Sequence, residues 1–183
     1  DSWGNLTNTT YSDDTPGISL VYDAMGRQIR TTDAAGTTTF AYDVSGANTN
    51  ETVVGVAGTN TIERFTDTLG RDAGYALNGI RQSTLAYDPA TGRLATMLAA
   101  GSETPFAWSY LDGGDLKSSL AYPNGLTASW AYGKRGELLE VDNAFPTGSV
   151  SKYVYSYDSI GRRTACDKSG SAFASPDTYA YLY

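Results

Sequence analysis

The chain has 183 residues and a formal charge of −7, with 13 Lys and Arg against 20 Asp and Glu and no His at all. The acidic balance, with no basic stripe, argues against nucleic acid as a partner, because phosphate binding needs clustered Lys and Arg. The missing imidazole removes the commonest general base, the Ser/His and Cys/His nucleophile pairs and most zinc sites, while the single Cys166 excludes an internal disulfide.

Asp1-Ser2-Trp3-Gly4-Asn5-Leu6 reads as a tight reversal, with an aspartate able to accept backbone N–H groups further along and a glycine able to supply positive φ. Ile18, Leu20 and Tyr22 then alternate, and Asp23-Ala24-Met25-Gly26-Arg27 repeats the reversal. Phe40 and Tyr42 lead into Asp43-Val44-Ser45-Gly46, and Phe65-Thr66 into Asp67-Thr68-Leu69-Gly70-Arg71. Tyr87-Asp88-Pro89-Ala90-Thr91-Gly92-Arg93 is the same reversal one residue longer, with proline setting φ near its start. Phe106, Trp108 and Tyr110 alternate before Gly114; Trp130 and Tyr132 before Gly136; Tyr153, Tyr155 and Tyr157 before Asp158-Ser159-Ile160-Gly161-Arg162. Tyr179, Tyr181 and Tyr183 close the chain in the same spacing. Large side chains at every second position, rich in aromatic and β-branched types, are the strand signature. No ten-residue window carries a helical stripe, although Leu94 to Ala100 superficially resembles a helix start.

Taken as markers, Gly4, Gly26, Gly46, Gly70, Gly92, Gly114, Gly136 and Gly161 recur at intervals a little over twenty residues. A period of that size means one small unit repeated, none of which can bury its apolar face alone. A second turn within each unit is clearest at Asn78-Gly79 and Pro123-Asn124-Gly125, with Ala34-Ala35-Gly36 and the stretch Gly55 to Asn60 in the same role. The unit is therefore a β-hairpin. The expected fold is all-β: residues 1–183 form a single array of about eight tandem antiparallel hairpins, coiled by strand twist into a spiral, shell or tube wall.

Tyr22-Asp23-x-x-Gly26-Arg27 and Tyr157-Asp158-x-x-Gly161-Arg162 carry in full the motif of the RHS-repeat, or YD-repeat, proteins, which the chain resembles over essentially its whole length. Tyr87-Asp88 reaches Gly92-Arg93 after one inserted residue, Asp67 to Gly70-Arg71 lacks only the tyrosine, Tyr42-Asp43 to Gly46 lacks the arginine, and Tyr110 and Tyr132 have lost the aspartate. The resemblance implies a shell wall, as in polymorphic toxins and toxin-complex cocoons, enclosing a toxic cargo, or else an adhesive shell on teneurin-like surface proteins. It places the chain outside the cell, secreted or on the cell surface. A self-cleaving aspartate region with paired Asp-Pro elements closes many such shells; Asp88-Pro89 alone does not reproduce it.

The recurrent acids Asp23, Asp43, Asp67, Asp88 and Asp158 are read as turn caps, and Arg27, Arg71, Arg93 and Arg162 as their partners or as stacking groups on tyrosines. No catalytic residue, cofactor or metal site is assigned: Gly-x-Ser-x-Gly, phosphate-loop and calcium-loop patterns are all absent. Expected partners are other repeats of the same parent chain or neighbouring copies, an enclosed toxin cargo, or surface glycans stacked on exposed aromatics such as Trp3. Asn5-Leu6-Thr7, Asn8-Thr9-Thr10 and Asn50-Glu51-Thr52 match glycosylation sequons, which arise easily in a Thr-rich β chain. No membrane-spanning run is present, since none approaches the roughly 20 apolar residues required. The chain opens on Asp1 rather than Met, so a segment of a longer array is expected; Tyr183 joined to Asp1 and Gly4 would complete a further motif, and the alternative reading is a fibre or tube of copies joined head to tail.

Overall fold

The computed structural model describes residues 1–182. These residues form seventeen strands and no helix. The first eight are β1 (Asn8–Thr9), β2 (Ile18–Tyr22), β3 (Gln28–Asp33), β4 (Gly36–Tyr42), β5 (Asn48–Gly55), β6 (Gly58–Thr66), β7 (Asp72–Leu77) and β8 (Ile80–Arg81). The rest are β9 (Ser83–Tyr87), β10 (Leu94–Ala99), β11 (Phe106–Tyr110), β12 (Lys117–Ala121), β13 (Thr127–Tyr132), β14 (Leu138–Phe145), β15 (Gly148–Tyr157), β16 (Arg163–Ser169) and β17 (Asp177–Ala180). Each strand pairs with its neighbours in sequence, giving an eight-stranded sheet from β1 to β8 and a nine-stranded sheet from β9 to β17. The expected all-β architecture of tandem antiparallel hairpins is what the chain adopts. Two compact units fall close to this division, Asp1–Thr84, which takes in the first two residues of β9, and a second beginning at Leu85.

The first sheet ends where Gln82 interrupts an extended run: Ile80 and Arg81 pair with Leu77 and Ala76, and the Gln82 N–H still donates to Tyr75. Gly74 makes this packing possible. A Cβ on it would lie 2.2 Å from the Ser83 carbonyl oxygen, and its φ of +105° is one that side-chain-bearing residues rarely adopt.

Two kinds of connection alternate along much of the array. Short hairpins span Ala34-Ala35, Val56-Ala57, Asn78-Gly79 and Pro146-Thr147, with Asp33 opposite Gly36, Gly55 opposite Gly58, Leu77 opposite Ile80 and Phe145 opposite Gly148. Asn78 and Gly79 both have positive φ, 51° and 76°, as the favoured two-residue hairpin demands. The Asp-x-x-Gly reversals make the other kind. Pro123-Asn124-Gly125 joins this second class and not the first, because Tyr122 donates to the Leu126 carbonyl and Gly125 to that of Tyr122. Tyr122 consequently sits in the turn, one residue beyond the end of β12.

Neither sheet has a conventional core. The buried apolar residues are Ala76, Ala128 and Cys166, all small, and no large side chain among the described residues is fully buried. Apolar burial is instead shallow and repeated: in β4, Phe40 and Tyr42 are half-buried while Thr39 and Ala41, which alternate with them, are exposed. Direct cross-strand neighbours such as Leu20 with Thr31, Phe40 with Glu51 and Trp130 with Val141 are then the units of stabilisation. Cys166 is a free, buried thiol on β16 opposite Tyr155.

Candidate functional site

The repeated motif builds one structure many times. Tyr22, Tyr42, Tyr87, Tyr110, Tyr132 and Tyr157 are each the last residue of their strand. The next residue opens a reversal in which its own N–H donates to the residue four ahead: Asp23 to Arg27 at 2.9 Å, Asp43 to Ala47 at 3.0 Å, Asp67 to Arg71 at 2.9 Å and Asp158 to Arg162 at 2.9 Å. The glycine N–H returns to the carbonyl of that first residue, and Gly26, Gly46, Gly70, Gly136 and Gly161 all have φ between 76° and 91°. In the longer reversal Asp88 donates to Arg93, and Gly92 has φ 73°. In the Leu111 reversal the residue with positive φ is Gly113, at 71°, and not Gly114. Leu111 donates five residues ahead to Leu116, as Asp88 does to Arg93, yet the left-handed residue is the third of this reversal and the fifth of that one.

The aspartate divides its two oxygens between two tasks. Asp23 Oδ1 accepts from the N–H groups of Met25 and Arg27, both at 2.9 Å, and its Oδ2 accepts from Arg27 Nε at 2.8 Å. Asp67 repeats this with Leu69 and Arg71, and Asp158 with Ile160 and Arg162. At the chain start Asp1 caps Trp3 and Asn5 in the same way and holds the Asn5 amide in place of an arginine. Donation of N–H groups to the ionised form favours it. The Arg27 backbone N–H foremost holds the Asp23 carboxyl below the usual range; for Asp158 the Arg162 side chain is foremost, and for Asp43 the Ser45 hydroxyl.

Tyr132 is followed by Gly133, and the acid is recovered from the other side of the turn. Glu137, in the place of the arginine, folds back so that its Oε2 accepts the Arg135 N–H at 2.9 Å. A Cβ on Gly133 would lie 2.5 Å from the Glu137 carboxyl carbon, so the glutamate occupies the space an aspartate side chain would need. The Gly133…Glu137 exchange is visible in the sequence once the turn geometry is known.

A β-bulge lies next to six of the reversals, whereas at the Tyr122 turn β12 and β13 pair without a shift. The register shifts between Val21 and Tyr22, Ala41 and Tyr42, Phe65 and Thr66, Ser109 and Tyr110, Ala131 and Tyr132, and Ser156 and Tyr157. Bulges bend a strand and increase its twist. Phe65 precedes the shifted position and pairs with Gly74, whereas Thr66 pairs with Asp72. Adjacent strand residues face opposite sides, so Phe65 does not take the tyrosine's place; it lies instead under the Arg81 guanidinium, 3.9 Å from the ring centre.

Tyrosine hydroxyls tie several of the repeats to the ones before them. Tyr22 donates to the Leu6 carbonyl at 2.9 Å, Tyr42 to Gln28 at 2.7 Å, Tyr110 to Leu94 at 2.9 Å and Tyr157 to Leu138 at 2.7 Å. Every acceptor is the second residue after the preceding marker glycine. Among the described residues Tyr132 makes no such bond. The preceding arginine also reaches the same ring: Arg27 lies 4.6 Å from the Tyr42 ring centre and Arg93 5.3 Å from that of Tyr110. Tyr183, with its postulated junction to Asp1 and Gly4, lies outside the described residues.

No group of three or more His, Cys, Asp or Glu side chains converges among the described residues, and no helix among them is long and apolar enough to cross a membrane. Trp3 stands 84% exposed at the tip of the first reversal.

Residues 1–38 match the family model of the RHS repeat. No curated protein matches the chain. Among solved structures, the chain is similar to one in the crystal structure of TcdB2-TccC3-Cdc42, with a TM-score of 0.68 at 16% identity over 90% of this chain and 10% of that one. It is also similar to a chain of the Photorhabdus luminescens Tc holotoxin pore with a mutated TccC3, with a TM-score of 0.65 at 16% identity over 88% and 9%. The chain thus spans about a tenth of the length of these neighbours. The resemblance to RHS-repeat proteins therefore stands on two separate grounds, the sequence of residues 1–38 and the fold.

Proposed function

We propose that the chain is a non-catalytic length of wall in an exported or cell-surface protein, and that this wall encloses a toxin or other cargo. The observation that carries this reading is the repeat-to-repeat clamp, in which the tyrosine hydroxyls of Tyr22, Tyr42, Tyr110 and Tyr157 close on the backbone of the preceding repeat. A sheet with almost no buried core, whose repeats are instead bound edge to edge, suits enclosure better than chemistry: its work is to leave no gap in the paired backbone. The fold shared with Tc toxin chains supports the same reading. The partners in this role are further repeats on either side and the enclosed cargo.

Electron microscopy of the intact protein that contains this segment, together with limited proteolysis, tests the proposal. Hollow closed particles, with a cargo that resists protease until the shell is opened, are expected. Uniform filaments would overturn it and favour the head-to-tail assembly of copies.

A further inference from the structure

We propose that Asn124, in the exposed reversal between β12 and β13, is a site of spontaneous covalent modification, at which the backbone closes on the side chain and the residue becomes aspartate and isoaspartate. The site is independent of the wall reading, since the reaction needs only this turn and water.

The chain contains two Asn-Gly pairs, Asn78-Gly79 and Asn124-Gly125. In such a pair the glycine nitrogen can attack the asparagine Cγ, because glycine has no side chain to block the approach. The N–Cγ bond forms and the Cγ–Nδ2 bond breaks. The proton of the glycine nitrogen, carried by water or hydroxide, leaves with Nδ2 as ammonia, and a succinimide ring remains. Water then opens the ring. Addition at Cγ gives aspartate, and addition at the main-chain carbonyl gives isoaspartate, which has one more carbon in its backbone. Nothing is oxidised or reduced, and water is the only co-reactant.

Hydrogen bonding separates the two pairs. At Asn78 the carboxamide is held by another strand: Oδ1 accepts the Thr61 N–H at 2.7 Å, and Nδ2 donates to Asn60 Oδ1 at 3.0 Å, both partners lying on β6. The Gly79 N–H has no partner among the described residues. Its nitrogen is free, but Cγ cannot swing onto it until both bonds to β6 are broken.

At Asn124 the carboxamide stays within its own turn. Oδ1 accepts the Leu126 N–H at 3.1 Å, and Nδ2 has no partner among the described residues. Leu126 directly follows the attacking residue, so its N–H can remain on Oδ1 as the ring closes and stabilise the negative charge that gathers there. One bond stands in the way, from the Gly125 N–H to the Tyr122 carbonyl at 3.0 Å. Asn124 and Gly125 are both exposed, and a Cβ on Gly125 would meet nothing within 4 Å, so base reaches the nitrogen. The modification adds a negative charge to a reversal that opens on Tyr122 in place of an acid. As isoaspartate it also lengthens a turn closed by the Tyr122 N–H on the Leu126 carbonyl at 2.8 Å.

The test ages the chain in mildly alkaline, heavy-oxygen water and maps its peptides by mass spectrometry, with fragmentation that separates aspartate from isoaspartate. Both products are expected at Asn124, each carrying one heavy oxygen. They should form about tenfold or more faster than at Asn78, the factor set by the cross-strand bonds that Asn78 must break. In urea the two pairs are expected to react at similar rates. Asn60→Ala removes one clamp and is expected to quicken Asn78 about fivefold while leaving Asn124 unchanged; circular dichroism verifies that the variant is folded. No modification at Asn124, an equal or faster rate at Asn78, a preference that persists in urea, or an Asn78 rate unmoved by Asn60→Ala would each overturn the proposal.

Discussion

Asp23 can serve both its turn and its arginine because every partner lies within four residues of it. Local partners of this kind are legible in a sequence: an acid at the start of a reversal, a glycine at its end and a guanidinium just beyond need no tertiary information. The hydroxyl of Tyr42 is a different matter, because its acceptor at Gln28 is fixed by strand register and by the bulge at Ala41/Tyr42. Tyr42→Phe is expected to cost about 1 kcal/mol, the usual net worth of a hydrogen bond, read as a lower denaturant midpoint. Tyr11→Phe, at an exposed position, should stay within about 0.5 kcal/mol of the parent chain. The Gly133 reversal offers a sharper test. Glu137→Arg removes its only carboxylate and Gly133→Asp crowds two together, so each alone lowers the thermal midpoint. The double variant rebuilds the arrangement seen at Asp23 and is expected to recover most of the loss. Additive losses in that double-mutant cycle would show that the glutamate does not substitute for the aspartate.

At the scale of the element, the hairpin period is carried by alternation and turns, but the point at which one sheet ends is not. Gln82 alone separates β8 from β9, and only the packing of Ser83 against Gly74 reveals why Gly74 must lack a side chain. Gly74→Ala is expected to destabilise the first sheet by about 1–3 kcal/mol, the range for forcing atoms into a filled site. The amide of Gln82, which donates to Tyr75, should then exchange faster with solvent, whereas Gly26→Ala, with open space around it, should show only the backbone penalty of about 1–2 kcal/mol. The turns obey the same logic. Pro123-Asn124-Gly125 has the composition of a tight hairpin yet adopts the wider reversal, and Gly113 takes the left-handed position beside an equally glycine-like Gly114. Composition restricts a turn to a few types, and the register of the flanking strands selects among them.

Across the whole molecule, the turn acids make stability a collective function of pH. The carboxyls of Asp23, Asp43, Asp67, Asp88 and Asp158 all titrate below the ordinary value of 3.8 when folded. Their contribution is therefore complete above the unfolded value and is lost as pH falls through the folded ones. Thermal midpoints are expected to hold steady from neutral pH down to about 5 and to fall steeply below about 4. A flat profile through that acid range would mean that the caps contribute nothing. Because each repeat touches its neighbours and little else, damage should also remain local: hydrogen exchange in Tyr42→Phe is expected to quicken in β3 to β5 and to leave β14 to β16 unchanged. By itself the sequence determined the all-β class, the hairpin period and the place of the Asp-x-x-Gly reversals, because alternation and Asp-x-x-Gly act over a few neighbouring residues. Tertiary structure decided which hydroxyl closes on which carbonyl, where the ladder divides, and that Arg93 leaves Asp88 for Asp115. Those outcomes depend on register and bulges, in which a shift of one residue changes every partner across the sheet.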